Sequence, residues 1–99
     1  MATYILMTKL SPELAREVHH RAEIGRQWKA AVAEKCPEVK FSAHYALLGP
    51  YDFMDIFEAP DEETAAKVSL ISLSRGAAKA ESWTAIPYAR FLELAKEVG

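Results

Sequence analysis

The chain has little cysteine, no long apolar run and no basic leader. Cys36 is its only cysteine, so no internal disulfide can form. No apolar run approaches the ~18 residues that a membrane span needs. No basic segment precedes the apolar N-terminus, as a signal peptide requires. Together these absences predict a cytoplasmic protein with no membrane segment. Cys36 precedes Pro37 at a predicted helix end, and we expect it to be a partly buried structural thiol.

Neither sign of charge is in excess. Twelve Lys and Arg residues face 14 Asp and Glu residues, which gives a net charge of −2. This balance lacks the basic surface of a nucleic-acid-binding protein. Hydrophobic residues make up 51% and charged residues 26%, which is typical of a folded globular chain. Ninety-nine residues support one core, so residues 1–99 are predicted to form a single domain.

Several motifs that carry cofactors or catalysis are absent. The sequence contains no glycine-rich phosphate loop, CxxC pair, HExxH motif or nucleophile elbow. His19 and His20 are adjacent on a predicted helix and point about 100° apart. His19 and Glu23 could form half of a metal site, but two ligands are too few to close one. We therefore predict neither a metal nor a cofactor.

The predicted elements follow the order β-α-β-β-α-β and then a final helix. Strands are predicted at about 3–9, 39–48, 52–58 and 78–86, and helices at about 12–35, 61–75 and from Pro87 onward. This order predicts an α+β, ferredoxin-like fold with a four-stranded antiparallel sheet and an extra C-terminal helix. Gly25 lies on the apolar stripe of the first helix, which favours close packing or a kink there. The second helix is apolar almost all round, which predicts burial on several sides.

A turn with the sequence Leu48-Gly49-Pro50-Tyr51-Asp52-Phe53 joins the second and third strands. A four-residue loop would pair Leu48 with Phe53 and His44 with Phe57. One face of the hairpin would then be wholly apolar: Tyr45, Leu47, Met54 and Ile56. The other would mix apolar and polar residues: His44, Leu48, Phe53, Asp55 and Phe57. We expect the apolar face to pack on the helices and the mixed face to meet another subunit or enclose a ligand.

The mixed face supplies the candidate catalytic residues, His44 and Asp55. In this register they are diagonal neighbours, about 7–8 Å apart at the backbone. A carboxylate that holds an imidazole is a general-base arrangement. Glu81 and Trp83 on the fourth strand share a parity that would let them face the same space. Polar pairs also set the register of interfaces, and that structural alternative remains open.

Tyr51, Asp52 and Arg75 are the other candidate ligand-binding residues, together with Glu81 and Trp83. Tyr51 beside Asp52 could bind a polar ligand or relay a proton. The structural alternative is that Asp52 hydrogen-bonds nearby backbone N–H groups and stabilises the turn. Arg75 could bind an anion. Alternatively, it interacts favourably with the end of the second helix, which Gly76 terminates.

Several segments resemble the GYD-domain family, named for a Gly-x-Tyr-Asp type of turn. They are Tyr4 to Leu10, Tyr45 to Leu48, Gly49 to Asp52, Glu58 to Asp61, Ser74 to Gly76 and Ala85 to Pro87. The resemblance covers most of the chain. It implies a small ferredoxin-like domain of the dimeric α+β barrel type, and it implies no established activity.

Two functions fit these observations. The first is a non-enzymatic homo-oligomeric module that binds a small molecule or associates with itself. The first strand supports it, because Tyr4 to Met7 are apolar on both faces, as in a strand covered on both sides. The second is a dimeric-barrel enzyme, such as a cofactor-independent monooxygenase or isomerase, with a cavity lined by His44 and Asp55. The predicted partner is in either case a second copy of the chain, in a homodimer or a larger homo-oligomer.

Overall fold

A computed structural model describes every residue from Met1 to Gly99. The elements are β1 (Ala2–Leu10), α1 (Pro12–Ala15), a 3₁₀ helix (Val18–His20), α2 (Arg21–Lys35), β2 (Lys40–Ala46), β3 (Phe53–Ala59), α3 (Glu62–Ser74), β4 (Ala77–Ala85) and α4 (Tyr88–Val98). The strands form one antiparallel sheet in the order β2-β3-β1-β4. The predicted α+β, ferredoxin-like fold with an extra C-terminal helix is confirmed. None of the helices is long and apolar enough to cross a membrane.

The first predicted helix is broken into three pieces. Ser11 caps α1 by accepting a hydrogen bond from the Leu14 N–H at 3.3 Å, as its position before Pro12 predicts. The chain leaves the helical conformation at Glu17, and α2 begins at Arg21. Helix ends leave carbonyl groups without an intrahelical donor. The Arg21 Nη2 donates to one of these, the Ala15 carbonyl, at 3.1 Å, and so links the two helices.

The β2–β3 hairpin has a longer turn than predicted. The last strand pair is Ala46 with Phe53, and the Leu47 N–H donates to the Asp52 carbonyl at 2.8 Å. The pairing is therefore displaced by two residues from the predicted register. A two-residue displacement keeps every side chain on its predicted face, because side chains alternate with a period of two. It also places His44 directly opposite Asp55 instead of diagonal to it.

The core lies on the opposite face of the sheet from the one predicted. Phe57 and Leu6 are both fully buried, and they belong to one apolar cluster with Val32 of α2 and Val68 of α3. The mixed face of the hairpin therefore packs on the helices. The wholly apolar face, with Tyr45 and its neighbours, has no helix over it. On this covered face Phe57 lies between Tyr4, with which it stacks, and Phe41, which it meets at a tilt, with ring centroids 5.6 and 5.7 Å away.

Helix α3 begins and ends at its predicted caps. The Asp61 Oδ1 accepts hydrogen bonds from the Thr64 N–H at 2.8 Å and the Thr64 hydroxyl at 2.7 Å. Gly76 follows the helix with a φ of 102°, which favours glycine. The prediction that α3 is buried on several sides is wrong for the single chain. Leu70 is 62% exposed and Leu73 is 43% exposed.

The molecule is extended, with dimensions of 51 × 30 × 18 Å. None of the α4 residues is buried, although the helix is amphipathic and carries an apolar stripe that includes Tyr88, Phe91 and Leu92. The accessible surface is 6823 Å². A compact monomer of this mass exposes about 5,600 Å². The single chain therefore exposes roughly 1,200 Å² more surface than its size requires.

Candidate functional site

The His44 imidazole and the Asp55 carboxylate form a hydrogen-bonded pair on adjacent strands. His44 Nδ1 bonds to Asp55 Oδ1, and the two residues face each other in the strand register. Asp55 is 3% exposed, whereas the His44 side chain is 61% exposed. Burial raises the pKa of Asp55, and the His44 partner opposes this rise. The pair thus places a buried acceptor behind an imidazole that reaches solvent.

A cleft of about 500 Å³ opens beside this pair, between the sheet and the helices. Its volume is in the usual range for small-molecule sites. Apolar walls come from Leu10, Leu14, Ile24, Trp28, Phe53 and Ala77, and polar groups come from Thr8, Arg21, Gln27, His44, Asp55, Ser72, Ser74 and Arg75. The mixed face of the hairpin therefore encloses a ligand-sized space within a single chain.

Tyr51, Glu81 and Trp83 form a second cluster on the opposite, uncovered face of the sheet. Glu81 accepts hydrogen bonds from the Tyr51 hydroxyl at 3.0 Å and the Trp83 indole N–H at 2.8 Å. The Tyr51 and Trp83 rings meet edge to face at 6.3 Å. The two bonds lower the pKa of Glu81, with the Trp83 bond as the larger cause, and the Glu81 bond raises the pKa of Tyr51. The expectation that Glu81 and Trp83 face the space beside His44 is wrong.

Asp52 bonds to a backbone N–H group, as its structural alternative predicts, but that group belongs to β1 and not to the turn. Its Oδ2 accepts a hydrogen bond from the Leu10 N–H at 2.8 Å, and its own N–H donates to the Thr8 carbonyl at 2.8 Å. It therefore fastens the hairpin turn to the end of β1 instead of bonding within the turn. Arg75 lies at the rim of the cleft, where its Nη2 donates to the Gln27 side-chain oxygen at 3.3 Å.

Sequence reasoning assigned no role in the cleft to Arg21, Trp28 or Ser72. The Trp28 indole N–H donates to the Ser72 hydroxyl at 2.8 Å, which joins α2 to α3 beside the cleft. The Arg21 guanidinium lies 5.9 Å from the centroid of the Phe53 ring. One signal was available in the sequence, because Arg21 falls at the edge of the apolar stripe of the first predicted helix. A cation on such a stripe is unusual enough to indicate a buried polar contact.

The remaining candidates, Cys36, His19 and His20, lie outside the cleft. Cys36 is 2% exposed and belongs to the core, and burial raises the pKa of its thiol, as expected for a structural cysteine. His19 and His20 are exposed in the 3₁₀ helix, and His20 Nδ1 bonds to Glu17 at 2.7 Å. No three His, Cys, Asp or Glu side chains lie close enough together to hold a metal ion.

The comparison with known families identifies the chain. Residues 4–95 match the family described as GYD domain. The chain belongs to the GYD-domain family. A relative from Thermus thermophilus is named glutamine synthetase and cystathionine beta-lyase binding protein. It is 35% identical over 89 residues, which cover 90% of this chain and 93% of the relative.

Two solved structures share the fold of this GYD domain. The crystal structure of FFRP-DM1 matches with a TM-score of 0.57 at 18% identity, over 87% of this chain and all of that one. The crystal structure of TTHA0845 from Thermus thermophilus matches with a TM-score of 0.53 at 25% identity, over 88% of this chain and 95% of that one. These likenesses agree with the ferredoxin-like architecture of the sheet and helices.

Proposed function

We propose that this GYD-domain protein is a non-enzymatic, cytoplasmic binding module that forms a homo-oligomer and docks onto metabolic enzymes. The observation that carries the proposal is the uncovered apolar face of the sheet, referred to below as the open face. It carries Ile5, Tyr45, Met54, Ile56 and Trp83, which belong to all four strands. An apolar sheet face that no helix covers is typical of an interaction site.

The amount of exposed surface supports pairing of two copies. A stable protein interface buries about 800 Å² on each partner. The excess of roughly 1,200 Å² over a compact monomer is sufficient to supply such an interface. Trp83 is 45% exposed and Tyr45 is 56% exposed, and aromatic residues of this kind are enriched in interfaces. Packing the open face against a second copy would bury both, and this geometry is that of a dimeric α+β barrel.

Light scattering coupled to size exclusion tests the pairing. We expect a mass of at least twice the 11.0 kDa of one chain at micromolar concentration. Ile56→Lys places a charge in the middle of the open face and should yield monomers. Leu70→Lys is the matched control, because Leu70 is exposed on the opposite, helical side of the molecule. If Ile56→Lys fails to fold, Tyr45→Lys replaces it. A wild-type protein that remains an 11.0 kDa monomer contradicts the proposal.

The enzyme-binding part of the proposal is supported by the name of the Thermus relative, a glutamine synthetase and cystathionine beta-lyase binding protein. The test partners are purified glutamine synthetase and cystathionine beta-lyase from the organism that encodes this protein. Sedimentation velocity should show each enzyme moving faster when this protein is added. A weak complex has a dissociation constant on the order of 100 μM. Unchanged sedimentation of both enzymes at protein concentrations up to about that value would contradict enzyme binding and leave the proposed self-association untouched.

Catalysis is the second candidate function, and the His44–Asp55 pair is the observation that favours it. An oriented imidazole beside a ligand-sized cleft is competent for proton abstraction. Product analysis by mass spectrometry with aromatic and lactone substrates distinguishes the two functions. Turnover that disappears in His44→Ala would establish an enzyme. Absence of turnover across the panel would favour the binding module.

A further inference from the structure

The cleft beside His44 exists because α2 leaves a gap above the sheet. Gly25 lines the cleft, and a Cβ atom placed on it would meet no other atom within 4 Å. The close packing predicted at Gly25 is therefore absent. The neighbouring stripe position, Trp28, is half-buried and held by Ser72. The cleft is thus a space that the helix lacks the side chain to fill, bounded by groups with defined positions.

Arg21 lines this cleft and carries a hydrogen-bond donor that no group in the chain uses. Its Nη2 is bonded to the Ala15 carbonyl, but its Nε is buried and has no partner in the chain. A buried donor without an acceptor costs about 1–3 kcal/mol. Arg21 lines the cleft and its guanidinium lies near the Phe53 ring, so a ligand that draws this side chain further into the cleft would give Nε an acceptor and recover that cost.

The charges around the cleft favour an anion as that acceptor. Two cations line it, Arg21 and Arg75, against one carboxylate, Asp55, which is already bonded to His44. The other polar groups are neutral hydroxyls and one amide. Leu14, Ile24 and Phe53 add apolar surface, which suits a hydrocarbon body.

We propose that the cleft binds a small organic acid, with its carboxylate on Arg21 and its apolar body against the Phe53 side of the cleft. Guanidinium groups are the preferred partners of carboxylates in partly buried sites. The site lies on the opposite side of the sheet from the proposed pairing surface. Ligand binding and self-association therefore depend on different residues and can succeed or fail separately.

Titration of the full chain with benzoate, followed by NMR, tests this site. The Arg21 Nε–H signal should shift and saturate at millimolar benzoate, and the Trp28 indole N–H signal should move with it. Benzamide has the same ring and no charge, so it should bind at least about tenfold more weakly, which corresponds to about 1.4 kcal/mol. Equal affinity for the two probes, or no saturable shift with benzoate or hexanoate, would overturn the proposal.

Charge-matched variants assign the effect to Arg21. Arg21→Gln should weaken benzoate at least about tenfold, the loss expected for one charge-assisted hydrogen bond. Arg90→Gln removes the same charge from exposed α4 and should bind like the wild type. Unchanged affinity in Arg21→Gln would refute the assignment. If that variant does not fold, the comparison of benzoate with benzamide on the wild type decides whether the cleft binds a carboxylate. Ile56→Lys should retain benzoate binding, which separates this site from the pairing surface.

Discussion

Substitution of Gly76 by alanine tests how α1 packs against the connection between α3 and β4. Gly76 lies between α3 and β4 with a φ of 102°, and its carbonyl accepts a hydrogen bond from the Ser11 N–H at 3.2 Å. A Cβ atom at this position would lie 2.5 Å from Leu14 Cδ1 and 3.2 Å from Leu14 Cγ. Two independent penalties therefore meet at one residue: an unfavourable backbone conformation and a collision with a side chain of α1.

The magnitude follows from these two terms. A non-glycine residue in a sparsely populated backbone region costs about 1–3 kcal/mol. Displacing Leu14 from its rotamer adds about 0.5–1.5 kcal/mol. The reduced freedom of alanine in the unfolded chain returns about 0.4–1 kcal/mol. We expect Gly76→Ala to lower the free energy of unfolding by about 2–3 kcal/mol, which corresponds to a fall in Tm of at least about 8 °C for a chain of this size.

Urea unfolding followed by circular dichroism measures this change. The midpoint should fall while the slope m stays constant. Protein concentration is held fixed, because association would make the midpoint depend on it. Gly25→Ala is the control, since Gly25 is inside α2, where an added Cβ meets nothing. That variant should gain about 0.5–1 kcal/mol, the difference in helix propensity.

A double-mutant cycle with Leu14→Ala separates the two penalties. Truncating Leu14 removes the atoms that collide with the new Cβ, so the cost of Gly76→Ala should fall by about 1 kcal/mol in that background. The backbone penalty should remain. A cost of less than about 0.5 kcal/mol for Gly76→Ala, the usual scale of a neutral surface change, would contradict the predicted strain and collision. An unchanged cost in the Leu14→Ala background would contradict the collision with Leu14.

Two further predictions concern the aspartates of the hairpin. Asp52→Ala should destabilise the chain by about 1.5–3 kcal/mol, because a backbone N–H at the end of β1 loses a charged acceptor. Asp52→Asn, which keeps an acceptor oxygen, should recover most of this loss, and equal losses in urea midpoint would contradict the role. The raised pKa of Asp55 means that its stabilising contribution is complete below the unfolded pKa of about 3.9 and is lost as pH rises through the folded pKa. The stability of Asp55→Asn relative to the wild type should therefore increase as pH rises above the unfolded pKa of about 3.9. A difference in urea midpoint that stays constant with pH would contradict this.

The order of elements was predictable because each boundary has a local cause. Asp61 and Pro12 mark helix starts by capping and by ring geometry, and Gly76 marks a helix end by its backbone freedom. The grouping of hairpin side chains by face was also predictable, because alternation survives a two-residue displacement of the register. The break between α1 and α2 was not, since Arg21 stabilises it through a carbonyl six residues earlier.

The ferredoxin-like order and the alternation of the hairpin can be predicted from the amino-acid sequence, since caps, periodicity and turn residues act over a few positions. The structural role of Cys36 and the family resemblance can be predicted from it as well. Which face of the sheet meets the helices depends instead on long-range packing. Both faces carry apolar side chains, so alternation alone does not choose between them, and the covered face is the one on which Phe57 packs between Tyr4 and Phe41. That choice separates His44 and Asp55 from Glu81 and Trp83, and it leaves Arg21 beside a cleft that no local pattern reveals.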